Sequence, residues 1–343
     1  MTRPSRTQAL IAAGAAGAVG VAGALTARRT ASASRERRAR SDRGRPVSVR
    51  GADGGARHVR VHGPDAAPTL VLVHCWTGTQ ELWHRQVESL GEELRIVTYD
   101  HRGHGLSDDA RDGDYSLGTL AADLQLVLEA TIPSGERPVL AGHSMGAMTI
   151  AAWAEANRGA VRDSIRGAAL MSTGLDQLTA ESQLVRPLPG PFGTIQGRIA
   201  DSILEIPASI QVIPLPVIRA AAGYAALGPH ARDEDIELTA RMALDTRARA
   251  RAGCGHAMSR MSLIDKLDAL DVPAIVVAGE RDLMTPIAHA ERIETALPRS
   301  LGIRVDPEAG HMTPLESPEL VNDALREAFS ATTDEAARAS LAA

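Results

Sequence analysis

Cysteine is nearly absent from this 343-residue chain, which has two, Cys75 and Cys254. Two thiols allow at most one disulfide, and their spacing spells no metal site. Both fall in segments expected near a buried active-site region, which weighs against pairing. Lysine is scarcer still: Lys266 stands alone, the other basic side chains are arginine, and the formal net charge is -5. This balance gives no case for a nucleic-acid partner, and the arginine bias reads as genomic base composition rather than a binding stripe. Small molecules remain as partners. What the chain does hold is apolar residues, 44% of the total, enough at this length for a sizeable buried sheet.

Within that material, five residues carry most of the information. Gly142-His143-Ser144-Met145-Gly146 follows the apolar run Pro138-Val139-Leu140-Ala141 and precedes the helix-like Ala147-Met148-Thr149-Ile150-Ala151-Ala152-Trp153-Ala154. A G-x-S-x-G between a buried strand and a helix reads as a nucleophile elbow: the glycines permit a sharp turn that lifts Ser144 to its apex, at the amide-rich end of the helix. A serine hydroxyl needs a base to take its proton and an acid to hold that base. Downstream, the strand-like Pro273-Ala274-Ile275-Val276-Val277-Ala278-Gly279 leads into a loop with Asp282, and Leu301-Gly302-Ile303-Arg304-Val305 runs into Glu308-Ala309-Gly310-His311. The order is Ser, Asp, His, each after its own strand. Loops leaving the carboxyl ends of parallel strands share one edge, so residues distant in sequence can converge there. Asp176, after the candidate strand Ala168-Ala169-Leu170-Met171-Ser172-Thr173, is the rival acid.

These pieces resemble the α/β-hydrolase fold superfamily over roughly residues 46 to 330. The further matches are Leu70-Val71-Leu72-Val73-His74-Cys75-Trp76-Thr77-Gly78, similar to the strand and oxyanion loop; Arg102-Gly103-His104-Gly105-Leu106-Ser107, similar to the R-G-x-G-x-S loop; and His311-Met312 with Leu315-Glu316-Ser317-Pro318. The resemblance implies an α/β fold with a mostly parallel central sheet flanked by helices and an inserted helical cap. It implies Ser144 as nucleophile, His311 as general base and acid, Asp282 as its orienter, and the Trp76 and Met145 main-chain N–H groups as oxyanion hole. His74, Cys75, Ile213 and Leu215 are candidate substrate contacts, and His101, Arg102 and His104 are expected to brace their loop. The family usually has glycine where this chain has Cys75, a departure that narrows the pocket or changes how the loop turns. The implied reaction is hydrolysis of a carboxylic ester through an acyl-enzyme, with no cofactor and no metal. Thioesterase, carbon–carbon bond hydrolase and cofactor-free haloperoxidase activities use the same triad, and a non-catalytic small-molecule receptor is the alternative of another class. Oligomeric state is not encoded in any motif.

The expected organisation is an amino-terminal segment and linker (1–45), two halves of the hydrolase core (46–174 and 266–330), a cap between them (175–265) and a tail (331–343). The cap is read from proline and glycine punctuation followed by helical apolar patterns, and is expected to select substrates without joining the chemical step. At the amino end, Ala9 to Ala27 carries no charge, follows Arg3 and Arg6, and precedes eight arginines between Arg28 and Arg45. This is a membrane-directed segment, pointing to membrane association or export and otherwise to the cytoplasm. Ala31-Ser32-Ala33 offers a cleavage site beyond two arginines; if the segment is kept, the denser arginines on its carboxyl side hold the catalytic domain cytoplasmic.

Overall fold

The computed structural model describes residues 44–184 and 213–342. The uncharged Ala9 to Ala27 run, its arginine-rich sequel and residues 185–212 of the expected cap lie outside them. Among the described residues, no helix is long and apolar enough to cross a membrane.

Eight strands form one sheet: β1 (Arg45–Arg50), β2 (Ala56–His62), β3 (Thr69–Val73), β4 (Arg95–Tyr99), β5 (Val139–His143), β6 (Gly167–Met171), β7 (Ala274–Gly279) and β8 (Ser300–Asp306). Their order is β1-β2-β4-β3-β5-β6-β7-β8. The β1–β2 and β2–β4 pairs are antiparallel, and every later pair is parallel. Strands β3 to β7 are buried at every position, which is why they read as unbroken apolar runs rather than alternating ones.

The period of two then divides these residues between the two faces of the sheet. On one face Val71, Val73, Leu140, Leu170 and Val276 pack with Leu124 of helix α2 (Leu117–Thr131) and Ile150 and Trp153 of α3 (Met145–Ala156). On the other, Leu70, Leu72, Ala141, Met171 and Val277 pack with Leu90 of α1 (His84–Leu90) and, from the long carboxyl-terminal helix, Val321 and Leu325. The result is a three-layer sandwich with the sheet as its middle.

Between β6 and β7 lie the cap helices α4 (Leu215–Ala226), α5 (Asp233–Asp245) and α6 (Ala248–Ser259), after a single turn at Leu178–Glu181. Helix α7 (Ile287–Ala296) follows β7, and α8 (Pro318–Ala342) closes the chain. Residues 331–342, expected as a tail, continue α8; the alanine-rich run after Pro318 contains no glycine or proline to stop it. The cap touches the core at both ends. In α6, the Arg251 carbonyl accepts a 3.0 Å bond from the Trp76 indole N–H, and Arg247 donates to the Ser107 carbonyl at 2.8 Å. At the end of α4, the Ala226 carbonyl accepts from the main-chain N–H groups of His311 (3.0 Å) and Met312 (3.1 Å).

Candidate active site

Ser144 sits between β5 and α3 with φ 52° and ψ −118°. A side-chain-bearing residue held there is strained, at a cost of about 1–3 kcal/mol. Both flanking glycines are sterically required. A Cβ on Gly146 would lie 2.1 Å from the Val73 carbonyl oxygen, and one on Gly142 would lie 2.4 Å from the Ala147 nitrogen. The strained turn is held by its main chain: Ser144 N–H donates to the Met171 carbonyl at 2.8 Å, and the Thr173 hydroxyl donates to the Ser144 carbonyl at 3.0 Å.

The loops after β7 and β8 bring the candidate acid Asp282 and the candidate base His311 together. The His311 Nδ1 lies 2.8 Å from Asp282 Oδ2, both side chains being buried. Asp282 also accepts from the Met284 N–H (2.8 Å), the Thr285 N–H (2.9 Å) and the Thr285 hydroxyl (2.7 Å). Burial pushes this carboxyl up, but the adjacent His311 and the Thr285 donors outweigh it and leave Asp282 below the ordinary carboxylate range. It is therefore ionised at neutral pH and fixed in orientation. The rival acid is engaged elsewhere: Asp176 accepts from Arg292 at 3.0 Å, which also binds Glu181 at 2.7 Å.

His311 is tied to the elbow through the residue preceding the serine. His143 Nε2 donates to the His311 carbonyl at 2.6 Å, with the two rings 5.0 Å apart. Burial first, and the neighbouring His311 second, push His143 down to about 3, so its ring is neutral. Thr285 and His143 were not singled out from sequence. The D-x-x-T spacing after Asp282 and the residue between glycine and serine at the elbow are the signals that could have found them.

On the third side, His74 Nδ1–H donates to the Cys75 carbonyl at 2.8 Å, and the Gly78 N–H donates to the same oxygen at 3.0 Å. The His74 tautomer follows from its other nitrogen, which accepts from the His101 N–H at 2.9 Å. A trans peptide points its C=O and N–H in opposite directions, so pinning the Cys75 carbonyl aims the Trp76 N–H away from His74. Met145 opens α3, and its N–H is one of the first-turn donors that a helix cannot satisfy internally.

The remaining candidates fall in different places. His74 is fully buried with both ring nitrogens engaged. Cys75 is buried in the cluster holding Leu82 and Trp83, and burial pushes its thiol up to about 12. The loop turns at Thr77, with φ 55°, so a side chain at 75 is accommodated in the core. Both cysteines are free. Arg102 braces its loop as expected, through a two-pronged buried pair with Asp123 at 2.7 and 2.9 Å that Arg57 joins at 2.8 Å. Ile213 and Leu215 stand at the far end of α4. With eleven residues from Leu215 to Ala226 at 1.5 Å each, they are about 16 Å along the helix from the His311 turn. Among the described residues, no group of three or more His, Cys, Asp or Glu side chains could hold a metal.

A cavity of about 530 Å³ opens between the end of α4 and the acid loop, lined by Tyr224, Leu227, Pro229, Arg281, Leu283 and Ile287 among others.

Comparison with known proteins agrees with this architecture. The model of the alpha/beta hydrolase family matches residues 70–324. The 3-oxoadipate enol-lactonase 1 of Acinetobacter baylyi is 25% identical over 276 residues, covering 80% of this chain and 92% of the lactonase. Among solved structures, a thermophilic esterase from Thermogutta terrifontis superposes with a TM-score of 0.68 at 24% identity, over 84% of this chain and 99% of the esterase. A bacterial membrane phospholipase A gives 0.70 at 19% identity, over 96% and 99%.

Proposed function

This chain belongs to the alpha/beta hydrolase family, and within it we propose a serine hydrolase that cleaves carboxylic esters through an acyl-enzyme. The observation that carries the proposal is the buried 2.8 Å contact of His311 with Asp282, on a base whose carbonyl is held by the residue next to Ser144. Asp282 keeps the proton on Nδ1, which leaves Nε2 of His311 free to take the proton of the Ser144 hydroxyl as it attacks the ester carbonyl. The carbonyl oxygen becomes an oxyanion, for which the Trp76 and Met145 N–H groups are the preorganised donors. Collapse of the tetrahedral adduct expels the alcohol with the proton returned from His311. Water, activated by the same imidazole, then releases the acid and restores Ser144. The donor set consists of side chains and main-chain amides alone, so the reading requires no cofactor.

The enol-lactonase relative, at 25% identity over most of both chains, supports placing cyclic esters within the substrate class. The uncharged Ala9 to Ala27 run supports membrane association or export of the full chain. A fluorophosphonate probe should label Ser144, and the wild type should turn over short p-nitrophenyl esters. Ser144→Ala should lose both, and retained hydrolysis by that variant overturns the mechanism.

A further inference from the structure

The turn that presents His311 is suspended between the cap and one acidic side chain that the reaction does not use. Three consecutive main-chain donors leave this turn. Gly310 N–H and Met312 N–H reach Glu316 Oε1, each at 3.1 Å, while His311 N–H and again Met312 N–H reach the Ala226 carbonyl that ends α4. The other carboxylate oxygen of Glu316 faces the opposite way, accepting the Gly228 N–H of the cap at 2.6 Å. Glu316 thus bridges two chain segments some eighty residues apart, with the base turn on one oxygen and the cap's exit from α4 on the other.

A second contact pins the same corner. Arg85 of α1 binds the cap residue Asp235 at 2.7 Å, and the Leu315 carbonyl, next to Glu316, accepts from both Arg85 and the cap residue Arg232. The end of α4 and the base turn are therefore built as one body.

We infer that Glu316 is a positioning residue that couples the cap to the general base, so that a displacement of the cap end of α4 is transmitted to His311. The inference rests on the serine-hydrolase reading for its consequence in turnover, but not for the clip itself. Its effect on function is specific: a substrate that seats against the cap also seats the base, and one that does not leaves His311 less well aimed. This revises the expectation that the cap selects substrates without touching the chemical step.

Glu316→Gln in the full-length chain tests it. The amide is the same size, yet it has one acceptor oxygen where the carboxylate has two. Since the partners on both sides are N–H donors, one side of the clip must now meet an NH2 group, whichever way the amide faces. Hydrogen exchange should accelerate at least tenfold both at residues 227–230 and at 310–313, with the elbow helix α3 unchanged. kcat for p-nitrophenyl esters should fall about 10- to 100-fold with KM within threefold, as expected when a catalytic group is misplaced by a fraction of an ångström to an ångström. Faster exchange at 310–313 alone would mean that Glu316 braces the turn without coupling it to the cap, and unchanged exchange at both would mean that the clip holds nothing; either result overturns the inference. If the wild type turns over no ester, the hydrolase reading fails while the exchange result still decides the coupling. Should Glu316→Gln not fold, Glu316→Asp, which keeps the charge but is too short to reach both sides, is read by the same exchange measurement.

Discussion

Lowering the pH from about 7.5 to about 5 should remove on the order of 6 kcal/mol of folding stability through three buried histidines. His101, His104 and His143 are fully buried, and burial, the first cause in each case, holds them at about 3, about 4 and about 3 against an ordinary value of 6.5. The unfolded chain takes up these protons below 6.5, whereas the native chain does not until the pH reaches 3 to 4. Across that window the unfolded state binds more protons, so stability is full above 6.5 and falls as the pH drops. At pH 5, about 1.5 units below the unfolded value, each histidine costs about 2 kcal/mol at 1.36 kcal/mol per unit. Three together approach the whole stability of a typical domain, about 5–15 kcal/mol. His74, also held well below 6.5 by burial, acts in the same direction. Asp100 and Asp282 lie below the ordinary carboxylate range, so their contributions are lost only on further acidification, below this window. Urea unfolding followed by far-UV circular dichroism at pH 7.5, 6 and 5 measures the loss. His143→Gln, which retains a donor for the His311 carbonyl but does not titrate, should shrink it by about 2 kcal/mol. A flat stability profile, or an unchanged slope in that variant, refutes the reasoning.

Asp282→Asn should lower kcat by about 10²- to 10⁴-fold, because an amide can hold the wrong imidazole tautomer, whereas Asp176→Asn should cost little; steady-state kinetics giving the reverse order moves the acid to the loop after β6. Gly146→Ala should destabilise the fold by several kcal/mol, since the new methyl has to displace the Val73 carbonyl 2.1 Å away; a melting temperature within two degrees of wild type rejects the close approach. Polar substitutions at Ile213 and Leu215, about 16 Å along α4 from the base turn, should reduce turnover of long-chain esters while sparing acetate esters; equal loss for both would place these positions nearer the reacting centre. Fractionation of cells making the full chain should find it with membranes or outside the cytoplasm, and a chain beginning at Pro46 should be soluble and active; a cytosolic, unprocessed full-length protein removes the targeting reading.

The elbow was legible because its constraints are local: two glycines that touch main chain, a buried strand before and a helix after. The proposed acid and base were read from order, Asp282 following the fully buried strand β7 and His311 following β8, which is only partly buried but still holds an apolar run. Helix α8 beyond residue 330 and the hairpin of β1 with β2 were not read, although Val47, Val49, Val59 and Val61 alternate with the polar residues Ser48, Arg50, His58 and Arg60 as in antiparallel strands with one face toward the core. The roles of His143 and Glu316 depend on which carbonyl or amide lies opposite in space, which no spacing encodes. Cys75 illustrates the same limit. A side chain in place of the usual glycine suggested a change at the pocket, but the positive φ falls two residues later, at Thr77, and the thiol turns into the core.

The burial of both thiols makes this chain addressable by spectroscopy. Cys75 and Cys254 are enclosed, and burial pushes each up to about 12, so neither presents a thiolate to a maleimide at neutral pH. With no other cysteine in 343 residues, no background thiol has to be removed before dyes are attached. A cysteine introduced at Tyr224 on the cap, 64% exposed, and another at Leu106 on the core, 50% exposed, would be the two positions to react. The distance between the attached dyes would then report whether the cap moves against the core while substrate is present.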